Sequence, residues 1–209
     1  MEIRCFVCNP FEENTYLIWD ETSRQAAIVD PGMIDPREEN AIDSFIADNK
    51  LIVKYILLTH AHLDHVFGAR HAKTTYGVDI IAHKGDQPLA ASLPDQAARF
   101  HLPYRLSPLT IDSFASDGQT LTLGNEEIKA LNVPGHSEGS LAYYMPHDGY
   151  LLSGDVLFNN AVGRTDLPGG STAKLYQSIT GKLLTLPDDT IVFPGHGSPT
   201  TIKAEKRRF

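Results

Sequence analysis

The chain is short of cysteine, of positive charge and of long apolar runs. Its 209 residues carry 18 Lys and Arg against 26 Asp and Glu, a formal net charge of −8. Phosphate backbones are bound by stripes of Lys and Arg, so this balance argues against a nucleic-acid surface and disfavours an anionic membrane as partner. No run of 18 apolar residues occurs, so no segment is expected to span a bilayer. The N-terminal Met1-Glu2-Ile3-Arg4-Cys5-Phe6-Val7-Cys8 lacks the basic-then-apolar layout of a signal peptide, and the expected location is the cytoplasm. Cys5 and Cys8 form a C-x-x-C pair, but a redox motif sits where a strand turns into a helix. On an extended strand, residues three apart face opposite sides, so both are read as packing residues. Neither an internal repeat nor a linker is present. Residues 1–209 are therefore expected to form one domain, with the ordinary composition of a soluble globular protein (42% hydrophobic, 21% charged).

What the chain does have is concentrated histidine. His60-Ala61-His62-Leu63-Asp64-His65 puts four strong metal ligands into six residues. Just upstream, Tyr55-Ile56-Leu57-Leu58-Thr59 reads as a short buried strand. On extended backbone His60 and His62 point the same way. Asp64 and His65 follow as the chain turns and can aim at a second point nearby. Imidazole and carboxylate suit Zn, Fe or Mn.

Strands are expected at 2–8, 14–19, 25–30, 79–82, 120–123, 128–133, 141–144, 150–153 and 190–193. Helices are expected at 36–49, 65–76, 84–99 and 172–186, and an irregular stretch at 100–112. Strands then helices, in both halves, predict two β-sheets packed face to face with helices on the outer faces, an αββα sandwich. Three further strands stop on a candidate ligand marked by glycine: Pro134-Gly135-His136, Gly154-Asp155 and Pro194-Gly195-His196. Glycine there lets backbone turn sharply or approach closely. Four strand ends thus carry seven ligand-type side chains.

With these motifs, joined by Gly163-Arg164-Thr165-Asp166, the chain resembles the metallo-β-lactamase superfamily. Within it, the chain resembles the short bacterial glyoxalase II-like hydrolases. The resemblance implies the α/β metallo-β-lactamase sandwich with two mixed sheets. It also implies two divalent metal ions, Zn first and Fe or Mn next. By position it assigns His60, His62 and His136 to one metal, and Asp64, His65 and His196 to the other. Asp155 bridges them. Longer glyoxalase II enzymes carry a helical C-terminal region that helps to hold glutathione, whereas this chain ends about a dozen residues after His196.

The chemistry so implied is thioester hydrolysis, on S-D-lactoylglutathione or a related acyl-thiol. Divalent metals lower the pKa of water from about 15.7 to roughly 7, and Asp64 is the candidate base that orients it. A persulfide dioxygenase with mononuclear iron is the first alternative, and a non-catalytic metal-binding protein is one of another class. Candidate substrate contacts are Arg164, Asp166, Tyr143 and Lys206. Arg164 and Asp166 can equally form an ion pair, Tyr143 can be core, and Lys206 can lie on a solvated face of the basic tail. His71, His83, His101 and His147 are read as non-ligands.

Overall fold

The computed structural model describes residues 1–103 and 105–209. The N-terminal half runs β1 (Glu2–Cys8), β2 (Glu13–Trp19), β3 (Gln25–Val29), α1 (Pro36–Asp48), β4 (Ile52–Leu57), α2 (Ala69–Tyr76), β5 (Ile80–Ala82), α3 (Gln87–Ala91), α4 (Leu93–Arg99) and β6 (Ser113–Phe114). The C-terminal half runs β7 (Thr120–Leu123), β8 (Glu126–Asn132), β9 (Leu141–Met145), β10 (Tyr150–Gly154), β11 (Leu157–Phe158), β12 (Ala161–Val162), α5 (Thr172–Gly181), β13 (Ile191–Pro194), β14 (Thr200–Thr201) and α6 (Ile202–Glu205).

Strand alternation builds the layers. In β2, Tyr16 and Ile18 enter the core between the sheets, while Leu17 and Trp19 face the outer helices. In β3, Ala27 and Val29 go inward, and Ala26 and Ile28 outward. The second half repeats the device: Leu152 and Tyr143 point inward, and Leu151 and Ala142 pack against Leu175 and Ile179 of α5. One sheet is ordered β1-β2-β3-β4-β5-β6 and the other β14-β13-β10-β9-β8-β7. Both are mixed, with β3, β4, β5 and β6 parallel in the first and β10 parallel to β13 in the second. The expected αββα sandwich is the observed one.

Helix α1 starts at Asp35, whose carboxylate accepts from the amides of Arg37 and Glu38. The other expected helices are shorter or broken. The stretch 65–76 begins as a 3₁₀ turn at Leu63–His65, and α2 starts only at Ala69 and closes on Gly77. The expected helix 84–99 is a 3₁₀ turn and two short helices, because Pro88 and Pro94 each sit in a first turn. Proline there starts a helix and disfavours helical backbone in the residue before it. The expected helix 172–186 ends at Gly181, followed by a 3₁₀ turn at Leu183–Thr185. Of the stretch 100–112, residue 104 lies outside the described residues. Cys8 is buried and Cys5 exposed, and both are free.

Candidate metal centre

The ends of β4, β8, β10 and β13 meet where the two sheets are laced together. Leu141 N–H donates to the Thr59 carbonyl across the sheets (2.7 Å), and within the second sheet Gly195 N–H donates to the Gly154 carbonyl (2.9 Å). Asn14 N–H donates to the Gly195 carbonyl (2.7 Å), and its side chain bonds the carbonyls of Pro194 and Gly197. A side chain on Gly195 would collide with Asp155 Oδ1 and the His65 ring, so this glycine is what lets β13 approach the cluster.

Seven side chains converge at this junction. His60 Nε2 lies 3.2 Å from His136 Nε2, and His62 Nδ1 2.8 Å from the same atom. Asp64 Oδ2 is 3.3 Å from His196 Nε2 and 3.8 Å from His65 Nε2. In each trio, His60-His62-His136 and Asp64-His65-His196, the ligand atoms lie within 4.8 Å of one another, a grouping able to hold a metal ion. Asp155 stands between them, Oδ1 being 3.5 Å from His65 Nε2 while Oδ2 is 3.7 Å from His136 and 3.6 Å from His196. His65 Nε2 and Asp155 Oδ1 are buried without a hydrogen-bond partner. Buried polar atoms left so cost free energy unless something satisfies them. Converging ring nitrogens with orphaned atoms among them fit a bound cation.

The outward nitrogens are pinned. His65 Nδ1 meets Asp30 Oδ2 (3.0 Å), His136 Nδ1 the Arg164 carbonyl (2.8 Å), and His196 Nδ1 the Phe11 carbonyl (3.0 Å). The Thr59 hydroxyl donates to Asp30 (2.6 Å), leaving its lone pairs for His60 Nδ1 at 3.0 Å. An N–H committed outward leaves the inward nitrogen with its lone pair facing the centre. Asp30, His60 and His65 form a third close trio. Asp30, however, is already spent as an acceptor from Thr59 and His65, which makes it a buttress.

Asp86 and Gln96, which the sequence reading did not single out, hold the loops. The Asp86 carboxylate accepts from Ala61 N–H (2.9 Å), the Ser137 hydroxyl (2.9 Å) and Gly139 N–H (2.7 Å). One buried group therefore ties the loop carrying His60 and His62 to the loop carrying His136. Gln96 accepts from Leu63 N–H (3.0 Å) and donates to the Ala61 carbonyl (3.2 Å). Glu13 is fully buried beneath His65, its Oε1 unpartnered.

Burial and the neighbouring histidines keep His60 well below the ordinary imidazole range, and burial beside His136 brings His62 down to about 3. Burial opposes charge on Asp155 and Asp64 too, but His65 and His196 outweigh it and hold both below the usual carboxylate range. Against burial, the same carboxylates hold His65 and His196 above the ordinary imidazole range. Since neutral imidazoles and ionised carboxylates are the forms that ligate metal, a cation at the second trio would displace their protons.

A cavity of about 380 Å³ opens above the cluster, with His62, Asp64, His136, Asp155 and His196 in its lining. Arg164 also lines it, gripped by Asp166 through two bonds of 2.7 Å. The expectation that Tyr143 lines the pocket is overturned. Tyr143 is fully buried between the sheets and its hydroxyl donates to the Leu58 carbonyl. Lys206 is also displaced from the role expected of it: it pairs with Asp188 at 2.5 Å and is not among the cavity walls. His71 is engaged with Asp43 and Glu39, away from the cluster.

Residues 8–196 match the family described as the Metallo-beta-lactamase superfamily. The chain is 40% identical over 208 residues to the hydroxyacylglutathione hydrolase GloC of Haemophilus influenzae, covering 99% of this chain and 96% of that protein. It superposes on the crystal structure of the BLEG-1 B3 metallo-beta-lactamase with a TM-score of 0.89 at 32% identity, covering 99% of this chain and 97% of that one. For TTHA1623 in a di-iron-bound form the TM-score is 0.85 at 34% identity, with 98% and 97% covered.

Proposed function

Since the chain belongs to the metallo-β-lactamase superfamily, we propose that it is a dinuclear metal-dependent hydrolase of acyl thioesters, of the hydroxyacylglutathione hydrolase kind. The observation that carries this reading is the position of Asp155, one oxygen towards His65 and the other between His136 and His196. A carboxylate so placed is shared by two trios, and a second trio has no use in a mononuclear site. His60, His62 and His136 would hold one metal, and Asp64, His65 and His196 the other, with Asp155 common to both.

A pair of divalent cations bound there would supply Lewis acidity and lower the pKa of the attacking water towards neutrality. The protein's residues do the rest. Asp64, ionised and at the cavity floor, orients the attacking water and takes its proton. A C–O bond forms at the thioester carbon, the C–S bond breaks, and the proton passes to the departing sulfur, giving a carboxylic acid and a thiol. The GloC relative makes S-D-lactoylglutathione the first substrate to try. Protein stripped by a chelator should lose hydrolysis of this thioester and regain it with Zn, Fe or Mn. Oxygen uptake with glutathione persulfide, and no thioester turnover, would instead identify a dioxygenase.

A further inference from the structure

The walls of the cavity do not resemble a site for a charged peptide. Above the ligand residues they are Phe11, Leu63, Phe100, Phe158 and Leu167, with Arg164 the one non-ligand charged residue among the described walls. That guanidinium is paired with Asp166 at 2.7 Å. Phe11 is held in place, edge-on to Phe100 at 5.8 Å and stacked on Phe67 at 6.4 Å. A second cavity of about 180 Å³ shares His62, Phe100 and Leu167 with the first, but Ser92, Asp95, Gln96 and Arg99 also line it, so the apolar walls belong to the first cavity.

We propose that the first cavity, walled by Phe11, Leu63, Phe100, Phe158 and Leu167, is an acyl pocket, so that selectivity among thioesters resides in an apolar acyl group and not in the thiol carrier. The proposal rests on the thioester-hydrolase reading. Glutathione carries two carboxylates and an ammonium, and charges are costly to desolvate against phenylalanine unless paired. The carrier is better left in solvent, with its sulfur at the cluster. An apolar acyl chain meets the opposite situation: each methylene buried is worth about a four-fold gain in affinity.

The test uses the metal-loaded protein and two series. The first is acetyl, lactoyl and hexanoyl thioesters of glutathione and of the uncharged carrier N-acetylcysteamine. The second is the unhydrolysable thioethers S-methylglutathione and S-hexylglutathione, followed by calorimetry. The expected result is that kcat/KM rises at least about 10-fold from acetyl to hexanoyl on either carrier, with lactoyl below hexanoyl. S-hexylglutathione should bind at least about 10-fold tighter than S-methylglutathione, and Phe100→Ala or Leu167→Ala should flatten both trends. A flat acyl series, or one set by the charge of the carrier, would overturn the proposal while leaving the hydrolase intact. No turnover of any thioester, with S-hexylglutathione still preferred, would overturn the hydrolase and keep the apolar pocket. No turnover and equal binding would overturn both.

Discussion

In the proposed hydrolysis, Asp64 is the residue on which the chemistry turns. It has a carboxylate oxygen 3.3 Å from His196 Nε2, lines the cavity and stays ionised. Asp64→Asn keeps a ligating oxygen but cannot take a proton. Turnover should fall on the order of 10²-fold or more with metal content retained. Near-normal kcat at full occupancy would remove the base assignment. All seven cluster residues were legible in the sequence because local spacing exposes them: alternation in His60-Ala61-His62, and glycine before His136, Asp155 and His196. Asp86 was not, because its contacts lie 25, 51 and 53 residues away and no local pattern marks them. Its buried carboxylate accepts from three donors, so Asp86→Asn sets an NH₂ against an N–H or O–H. Destabilisation of about 1–3 kcal/mol is expected from the unmet donor. Displacing the two loops should weaken metal binding by about 10–100-fold. Calorimetric metal titration and thermal melting of the metal-free form check the two parts separately, and an unchanged metal affinity would show that the loops hold themselves.

Among the elements, strands were easier to read than helices. The strands expected at 2–8, 14–19 and 25–30 appear at Glu2–Cys8, Glu13–Trp19 and Gln25–Val29, since a two-residue alternation is dictated by which core each side faces. Helical periodicity ran through 84–99, but Pro88 and Pro94 impose their own starts. Short pieces such as β6, β11, β12 and β14, two residues each, carry no pattern to detect. The turn after β13 is where an element meets the chemistry. Gly195→Ala would force a methyl group against Asp155 and the His65 ring. Overpacking of this kind costs about 1–3 kcal/mol, a fall in Tm of roughly 2–12 °C. The metal content of the purified variant should fall with it. Full metal content in Gly195→Ala would mean that β13 can withdraw without disturbing the ligands.

At the scale of the molecule, the two sheets are the means by which residues 60 and 196 reach one point. The first sheet brings the end of β4 to the junction and the second the ends of β8, β10 and β13, and backbone bonds such as Asn14 to Gly195 and Leu141 to Thr59 lock one sheet to the other there. The order of elements made this layering legible, because two successive strand-then-helix halves have few other ways to bury their apolar faces. Which walls close the cavity was not legible. Phe11, Phe100, Phe158 and Leu167 come from four separate segments. If Asp155 is shared as proposed, this junction holds two metal ions. The direct measurement is elemental analysis of protein purified without chelator and then supplied with Zn, Fe or Mn. Two metal ions per chain are predicted, falling towards one in Asp155→Ala. A ceiling of one per chain in the unaltered protein under metal-replete conditions would contradict the claim.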